Sequence, residues 1–270
     1  MSDRLNTAVA EAWSNSSAAS GAAPGASEQT KTAEGVLLPV VRPVDWSDVA
    51  EAQVRSETFE QARVIAGRRR TDHSGAFDLL ALRLERICRE NGWTRIAVTT
   101  PRAGCGGTTV ALNLALALGQ RGARVLGFDA AGDGKGALDL LGLRKPRSVA
   151  ITDVEDAEPP VHRLGTSLLL AEARSPSDRA FMRDGGGDPT GGLNALVDRY
   201  SPDLTLVDLP SVLRGSDTPL VLGTVDAALL VAGAARSTAD DIAQSAQLIS
   251  EMTTFLGTVL NDASTDGAAY

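Results

Sequence analysis

The stretch Thr99–Leu114, TTPRAGCGGTTVALNL, decides how the rest of the chain is interpreted. It begins at the end of an apolar strand-like segment, Thr94–Thr100, and runs into an almost wholly apolar helical segment, Thr108–Arg121. A glycine-rich loop between a strand and a helix gathers backbone N–H groups at the positive end of the helix dipole, which suits a phosphate group. The stretch therefore predicts a phosphate-binding site.

Two kinds of phosphate site share this layout, and the loop alone does not separate them. In the P-loop, G-x-x-x-x-G-K-[ST], a lysine neutralises the phosphates, but Gly107 stands at that position here, before two possible magnesium ligands, Thr108 and Thr109. In the dinucleotide fingerprint, G-x-G-x-x-G, no lysine is needed. Gly104-Cys105-Gly106 begins such a fingerprint and Asp129 supplies its acidic residue, although Thr109 replaces the third glycine.

The dinucleotide interpretation, an NAD(P)-dependent oxidoreductase, lacks residues for its chemistry. A short-chain dehydrogenase needs a Tyr-x-x-x-Lys pair for proton transfer. Neither Tyr200 nor Tyr270 has a lysine four residues later, and the chain contains only three lysines, Lys31, Lys135 and Lys145. This alternative is therefore disfavoured.

Two downstream strands end in carboxylates that a P-loop protein needs. The apolar segment Leu204–Pro210 contains Asp208 near its end, and Arg124–Asp129 ends in Asp129. Parallel strands deliver their carboxyl ends to one edge of a sheet, where a magnesium-bound nucleotide sits in P-loop proteins. Asp129 and Asp208 are thus the candidate catalytic carboxylates and, with Thr108, the candidate metal ligands.

Alternating segments predict an α/β fold with a doubly wound, mainly parallel sheet and helices on both faces. The further predicted strands are Ser167–Glu172, Asp203–Leu209, Ala227–Ala232 and Phe255–Asn261. The predicted helices are Ser74–Asn91, Thr108–Arg121, Leu193–Arg199, Thr218–Gly223 and Thr238–Met252. The predicted organisation is a disordered arm over 1–35, a linker or amphipathic segment over 36–72, a P-loop NTPase-like domain over 73–263 and a tail over 264–270.

Composition excludes several classes of function. Lys and Arg number 26 against 34 Asp and Glu, a net charge of -8, so binding to a nucleic-acid backbone is not expected. Two cysteines are too few for a disulfide framework, and no apolar run approaches the roughly 20 residues of a membrane span. We expect a cytoplasmic protein, and any role at a membrane would need a partner that brings it there.

Six pieces in order resemble the bacterial capsular and exopolysaccharide tyrosine autokinases, relatives of the cell-division and partition ATPases with a deviant P-loop. The pieces are GAFDLLALRL, VTTPRAGCGGTTVALNLALALGQRGARVL, LGFDAAGD, YSPDLTLVDLPSVLRGSDTPLV, VDAALLVAGAARST and FLGTVLND. The resemblance covers about Ser74 to Asp262. It implies ATP and Mg²⁺ at the carboxyl edge of the sheet, autophosphorylation at a C-terminal tyrosine cluster, and a membrane-embedded polysaccharide co-polymerase or chain-length regulator as partner.

The phosphate-binding and metal-binding residues of that family are eroded here. Gly107 replaces the P-loop lysine, and Ala131 replaces the second aspartate of the family's D-x-D. Arg102 occupies the place of the signature lysine of the partition-type ATPases, and Arg102 or Lys135 is a candidate substitute for the missing cation. The family's strand-end asparagine, Asn261 here, implies a place near the base. The resemblance also assigns Arg102, Gly104, Cys105, Gly106, Gly107, Thr108, Thr109 and Asn261 to cofactor binding.

Two further family features are reduced. The E-x-x-R-x-x-R motif that joins family members into a ring aligns on Gly75, Asp78 and Ala81, although a one-turn slip brings in Arg83 and Arg86. A homo-oligomer through that ring motif is therefore not expected unless the slip applies. The tyrosine cluster shrinks to Tyr270, the remaining autophosphorylation candidate.

Three functions follow. The leading one is a pseudokinase or regulatory subunit of exopolysaccharide synthesis with weak or lost ATP binding, for which Gly107→Lys is expected to raise ATP affinity. The second is an active kinase or ATPase whose phosphate-binding groups have moved. The third is the disfavoured oxidoreductase.

Overall fold

The computed structural model describes residues 43–66, 74–130, 136–143, 161–173, 192–214 and 218–262. The helices are α1 (Ser56–Gln61), α2 (Ser74–Asn91), α3 (Gly107–Gln120), α4 (Ala137–Leu140), α5 (Leu193–Tyr200), α6 (Thr218–Leu222) and α7 (Ala239–Met252). The strands are β1 (Arg95–Thr99), β2 (Val125–Asp129), β3 (Val161–Leu164), β4 (Leu168–Glu172), β5 (Leu204–Asp208), β6 (Ala227–Gly233) and β7 (Thr254–Asn261). A 3₁₀ turn, Trp46–Asp48, precedes α1. No helix within these ranges is both long and apolar enough to cross a membrane.

The strands form one seven-stranded sheet in the order β3-β4-β2-β5-β1-β6-β7. Every neighbouring pair is parallel except β3 and β4, which are antiparallel. The predicted mainly parallel α/β fold is therefore confirmed. The central strands are mostly apolar because helices cover both faces of the sheet.

The strand order separates the two phosphate-site alternatives left open by the loop. In the doubly wound dinucleotide-binding fold the first strand pairs directly with the second. Here β5 lies between β1 and β2, and it pairs with both of them. Asp208 therefore lies between the strand that leads into the phosphate loop and the strand that ends in Asp129, a placement that the dinucleotide-binding order does not provide.

Two apolar layers, one on each side of the sheet, form the core. On one side α2 and α3 pack against the sheet; Ala81 and Leu84 carry the buried face of α2, whose apolar residues recur at helical spacing. On the other side α5 and α7 contribute, with Leu196 and Ile249 fully buried. Because both faces of the sheet are covered, the site is confined to its carboxyl edge.

Residues 43–66, which we call the strap, belong to the segment 36–72, for which the sequence predicts a linker or an amphipathic segment. Trp46 is buried, donates its indole N–H to the Tyr200 carbonyl over 2.8 Å, and lies under the Arg124 guanidinium. Next along the strap, Ala52 donates its N–H to the carbonyl of Arg163 in β3 over 2.8 Å. The strap is helical only in α1 and one 3₁₀ turn because long-range contacts fix its path, and it covers the free edge of β3.

Two short elements are absent from the sequence prediction, β3 and α4. Val161–Leu164 reads VHRL, which carries no run of apolar residues, and it pairs with β4 through backbone bonds at the sheet edge. Ala137–Leu140 is a single helical turn that begins after Gly136. Neither is long enough to generate a periodic pattern.

Candidate functional site: a phosphate loop beside two buried carboxylates

The loop from Thr100 to Gly106 joins β1 to the N-terminus of α3. Gly104 has φ +83° and Gly106 has φ +87°, a left-handed conformation that side-chain-bearing residues rarely adopt. A Cβ at Gly106 would lie 2.2 Å from the Asn261 amide nitrogen, so this glycine is also required by packing. The backbone conformation leaves the amide groups of the loop at the positive end of a 14-residue helix.

Asn261 is attached to this loop. Its Nδ2 donates to the Cys105 carbonyl over 3.0 Å from the end of β7. The resemblance places this asparagine near the nucleotide base. In this structure its side chain binds the backbone of the phosphate loop at Cys105. Cys105 is itself buried, and its Sγ lies 3.4 Å from the Ser237 hydroxyl, which makes it a packed loop residue.

Asp129 and Asp208 are direct neighbours at the carboxyl edge. They occupy matching positions in the parallel pair β2 and β5, and both are buried, with 3% and 5% of their surfaces exposed. Together with Thr108 they line a cavity of about 20 Å³. A cavity of that size holds one water molecule or one cation and no nucleotide.

Of the eleven residues that line this cavity, eight are apolar and three carry oxygen atoms of the kind that magnesium binds. Two carboxylates and one hydroxyl are hard oxygen ligands, and Mg²⁺ prefers one or two carboxylates together with waters and phosphate oxygens. The predicted metal residues, Thr108, Asp129 and Asp208, are thus brought together. Among the described residues, no group of three or more His, Cys, Asp and Glu side chains is placed to hold a metal ion.

Gly107 is the first residue of α3 and is buried. An ideal Cβ built on it would lie 2.7 Å from the Thr100 methyl and 3.9 Å from Asp208 Oδ1. The first contact is closer than real Cβ atoms show, so the space in which a lysine stem would begin is filled by the β-branched Thr100. The Thr100 methyl group thus occupies space that a lysine side chain at position 107 would need.

Arg102 lies away from the cavity and pairs with helix α7. Its Nη2 lies 2.7 Å from Asp241 Oδ1, and the Asp241 side chain is 7% exposed. The other carboxylate oxygen of Asp241 accepts the Thr238 N–H over 3.1 Å in the capping box that begins α7. Arg102 is thus used as a structural link between the loop and α7.

The remaining predicted site residues fall into three groups. Thr109 lies half-buried beside Thr108 and its carbonyl accepts a bond from the Asn113 amide. Ala131, Lys135 and Tyr270 lie outside the described residues. On α2, Ala81 is fully buried, which excludes it from a subunit interface, whereas Arg83 and Arg86 are exposed.

The contribution of the Arg102–Asp241 ion pair to stability should depend on pH. The hydrogen bond from Arg102, followed by that from the Thr238 backbone, holds the pKa of Asp241 well below its usual range. An unfolded aspartate titrates near 3.9, so this carboxylate stabilises the fold above about pH 4 and loses that effect as pH falls further. In urea unfolding between pH 7 and pH 3, we expect wild-type stability to fall more steeply than that of Arg102→Ala.

Arg83→Ala, which removes another exposed arginine, serves as the matched control for this titration. It should reproduce the wild-type slope. Identical slopes for wild type and Arg102→Ala would show that the ion pair does not form in solution.

Gly136 is packed against Asp129. A Cβ at Gly136 would lie 1.3 Å from Asp129 Oδ2, so Gly136→Ala must move either the carboxylate or α4. Overpacking of this kind costs about 1–3 kcal/mol, and we expect that loss in the free energy of unfolding by urea. Gly75→Ala, at an open position on α2, is the control and should not destabilise. Equal midpoints for both variants would contradict the close packing of Gly136 on Asp129.

Four residues with contacts at or near the site are not predicted by the sequence patterns: Thr100, Asn113, Gly136 and Arg236. Only Asn113 carries a local signal, since a lone amide inside an apolar helix must find hydrogen-bond partners when it is buried. The contacts of the other three depend on the folded path of the chain: Thr100 meets Gly107 and Gly136 meets Asp129, each pair seven residues apart, and Arg236 meets Gly104 from the turn between β6 and α7.

Comparison with known proteins agrees with this geometry. A family model described as the CobQ/CobB/MinD/ParA nucleotide binding domain matches residues 96–268. The search of curated proteins finds no match.

Solved structures show the same fold at low identity. The kinase domain of the Escherichia coli tyrosine kinase ETK has a TM-score of 0.52 and 22% identity, covering 80% of this chain and 92% of that one. The BceF tyrosine kinase domain has a TM-score of 0.58 and 19% identity, covering 78% and 90%. Cobyrinic acid a,c-diamide synthase from Mycobacterium smegmatis, with bound ADP and magnesium, has a TM-score of 0.51 and 21% identity, covering 62% and 73%.

The region matched by the family model runs from β1 to beyond β7 and therefore contains the phosphate loop and both buried aspartates. The departure at Gly107 lies inside this region and alters one position of the site, leaving the strand order intact. The chain belongs to the family of CobQ/CobB/MinD/ParA nucleotide-binding domains.

Proposed function

We propose that this protein is a catalytically degenerate relative of the tyrosine autokinases, which binds Mg-nucleotide weakly and does not phosphorylate tyrosine. The observation that carries the proposal is the contrast between two halves of one site. Thr108, Asp129 and Asp208 still line a common cavity, whereas the lysine position is Gly107 with the Thr100 methyl packed over it.

The retained loop amides and metal-binding residues support the binding of Mg-nucleotide. Loop amides at the N-terminus of α3 would hold the β-phosphate, and Thr108, Asp129 and Asp208 would hold Mg²⁺ directly or through water. When bound, Mg-ATP would supply a transferable phosphoryl group whose charge the metal partly neutralises. The related cobyrinic acid a,c-diamide synthase structure holds ADP and magnesium, which supports the same ligand class here.

The missing lysine explains why we expect nucleotide binding to be weak and phosphoryl transfer to be absent. A charge-assisted hydrogen bond contributes about 1.5–3 kcal/mol, so loss of the lysine lowers ground-state affinity roughly 10- to 150-fold. The effect on phosphoryl transfer is larger because negative charge on the transferred group is stabilised mainly by such cations. Arg102 does not offset this loss, because Asp241 holds its guanidinium away from the cavity.

The cellular part of the proposal rests on the resemblance to the autokinases and on the shared fold with the ETK and BceF kinase domains. We place the protein in exopolysaccharide synthesis as a regulatory subunit, at the inner face of the membrane, with a membrane-embedded co-polymerase as its partner. In that role nucleotide occupancy, rather than tyrosine phosphorylation, would set the state of the partner surface.

The proposal is tested with the full-length chain and labelled ATP in the presence of Mg²⁺. Calorimetry should detect Mg-dependent binding of ADP in the micromolar to millimolar range, and mass spectrometry should find no phosphotyrosine. Asp208→Asn, which replaces one carboxylate by an amide of the same shape, should weaken the Mg-dependent binding. Phosphotyrosine that requires Mg²⁺ and disappears in Asp208→Asn would establish the active-kinase alternative instead.

A further inference from the structure

A second arginine lies over the phosphate loop. Arg236 belongs to the turn between β6 and α7 and is exposed. Its guanidinium covers Gly104, so that a Cβ on that glycine would lie 3.2 Å from Arg236 Nη1. Gly104 therefore leaves room for the arginine as well as adopting its left-handed conformation.

The backbone that carries Arg236 is fixed against the loop. The Arg236 N–H donates to the Gly233 carbonyl over 3.0 Å, and the Ser237 hydroxyl accepts the Gly233 N–H over 3.1 Å. The same Ser237 hydroxyl lies 3.4 Å from Cys105 Sγ. A Cβ on Gly233 would meet both Arg236 and Cys105, which shows how closely the turn and the loop are packed.

The two loop cations differ in their partners. Arg102 is paired with the buried Asp241, whereas Arg236 makes no ion pair with any residue in the described part of the chain. Exposed arginines such as Arg55 and Arg83 also make no ion pair within the described residues, but Arg236 differs from them because it lies over the phosphate loop. A guanidinium presents a planar fork of donors that matches phosphate oxygens.

We propose that Arg236 donates its guanidinium hydrogen bonds to the nucleotide phosphates and supplies part of the positive charge that the loop lost at Gly107. This inference rests on the proposed nucleotide binding. The cation comes from the β6–α7 turn and lies over Gly104, whereas the P-loop lysine position is the first residue of α3. Phosphate binding would then be retained without a cation placed beside Asp208 for phosphoryl transfer.

Calorimetric titration of the full-length chain with Mg-ADP and with adenosine tests the proposal. Removing one charge-assisted contact should weaken Mg-ADP binding of Arg236→Ala at least 10-fold, with Arg236→Lys between the two and adenosine binding unchanged. Arg83→Ala, which removes an exposed arginine on α2, is the matched control and should stay within twofold of wild type. Thermal unfolding of each variant checks that the exposed substitution leaves the fold intact.

The outcomes separate this inference from the function on which it rests. Wild-type binding of Mg-ADP together with equal binding by Arg236→Ala would overturn the role of Arg236 and leave nucleotide binding in place. Absence of any Mg-ADP binding by wild type would overturn both. A loss in Arg236→Ala that extended equally to adenosine would show a general distortion of the site and would also overturn the phosphate contact.

Discussion

Asn113→Ala is expected to lower the free energy of unfolding by about 3–5 kcal/mol, the largest stability effect anticipated for one substitution in this chain. Asn113 lies in the middle of α3 and is fully buried. Its Oδ1 accepts the N–H groups of Ile65 and Ala66 over 2.8 and 2.9 Å, and its Nδ2 donates to the carbonyls of Arg63 and Thr109 over 3.1 and 2.8 Å.

The size of the effect follows from what the substitution leaves behind. An asparagine amide has two donors and two acceptor sites, and all four are used here. Truncation to alanine leaves two strap N–H groups without their acceptor, each costing about 1–3 kcal/mol when buried. The strap would then lose this attachment to α3, about two turns away from the phosphate loop.

Urea unfolding gives the stability difference, and limited proteolysis shows whether the strap is released. Gln120→Ala, at the exposed end of the same helix, is the matched control and should stay within about 0.5 kcal/mol of wild type. If Asn113→Ala and Gln120→Ala unfold at the same urea concentration, the strap is not held by this amide.

The alternation of apolar strands and helices was sufficient to predict the fold. Ser74–Asn91 is a helix over the predicted range because its apolar face is long and regular, and each predicted strand is found within two residues. Strand order was not predicted by periodicity, because it depends on pairing between distant segments. The position of β5 between β1 and β2 needed the structure, and it decided against the dinucleotide interpretation.

The candidate site was predictable where chemistry is carried by strand ends and glycines. Asp129 and Asp208 could be placed at one edge of the sheet because parallel strands align their carboxyl ends. The partners of Arg102 and Gly107 were not predictable, because Asp241 is far away in sequence and Thr100 reaches Gly107 only through the curvature of the loop. Sequence spacing identifies a missing lysine but not what occupies its space.

The Thr100 methyl changes what should be expected of restoring the lysine. Gly107→Lys alone places a Cβ 2.7 Å from that methyl, so the loop must give way and the affinity gained from the charge is partly lost. Thr100→Ser removes the methyl and keeps the hydroxyl. We expect the double variant Thr100→Ser/Gly107→Lys to bind Mg-ATP roughly 10- to 100-fold more tightly than wild type, with the single lysine variant below it.

Calorimetric titration of Mg-ATP into wild type, Thr100→Ser and Thr100→Ser/Gly107→Lys tests the central claim most directly. That claim is that the nucleotide site keeps its metal-binding residues, whereas its phosphate-binding part is weakened by the missing lysine. It predicts weak binding in wild type, little change in Thr100→Ser, and a gain of at least 10-fold in the double variant. Equal or weaker binding in the double variant than in wild type would contradict it, because the restored cation would then have no phosphate to meet.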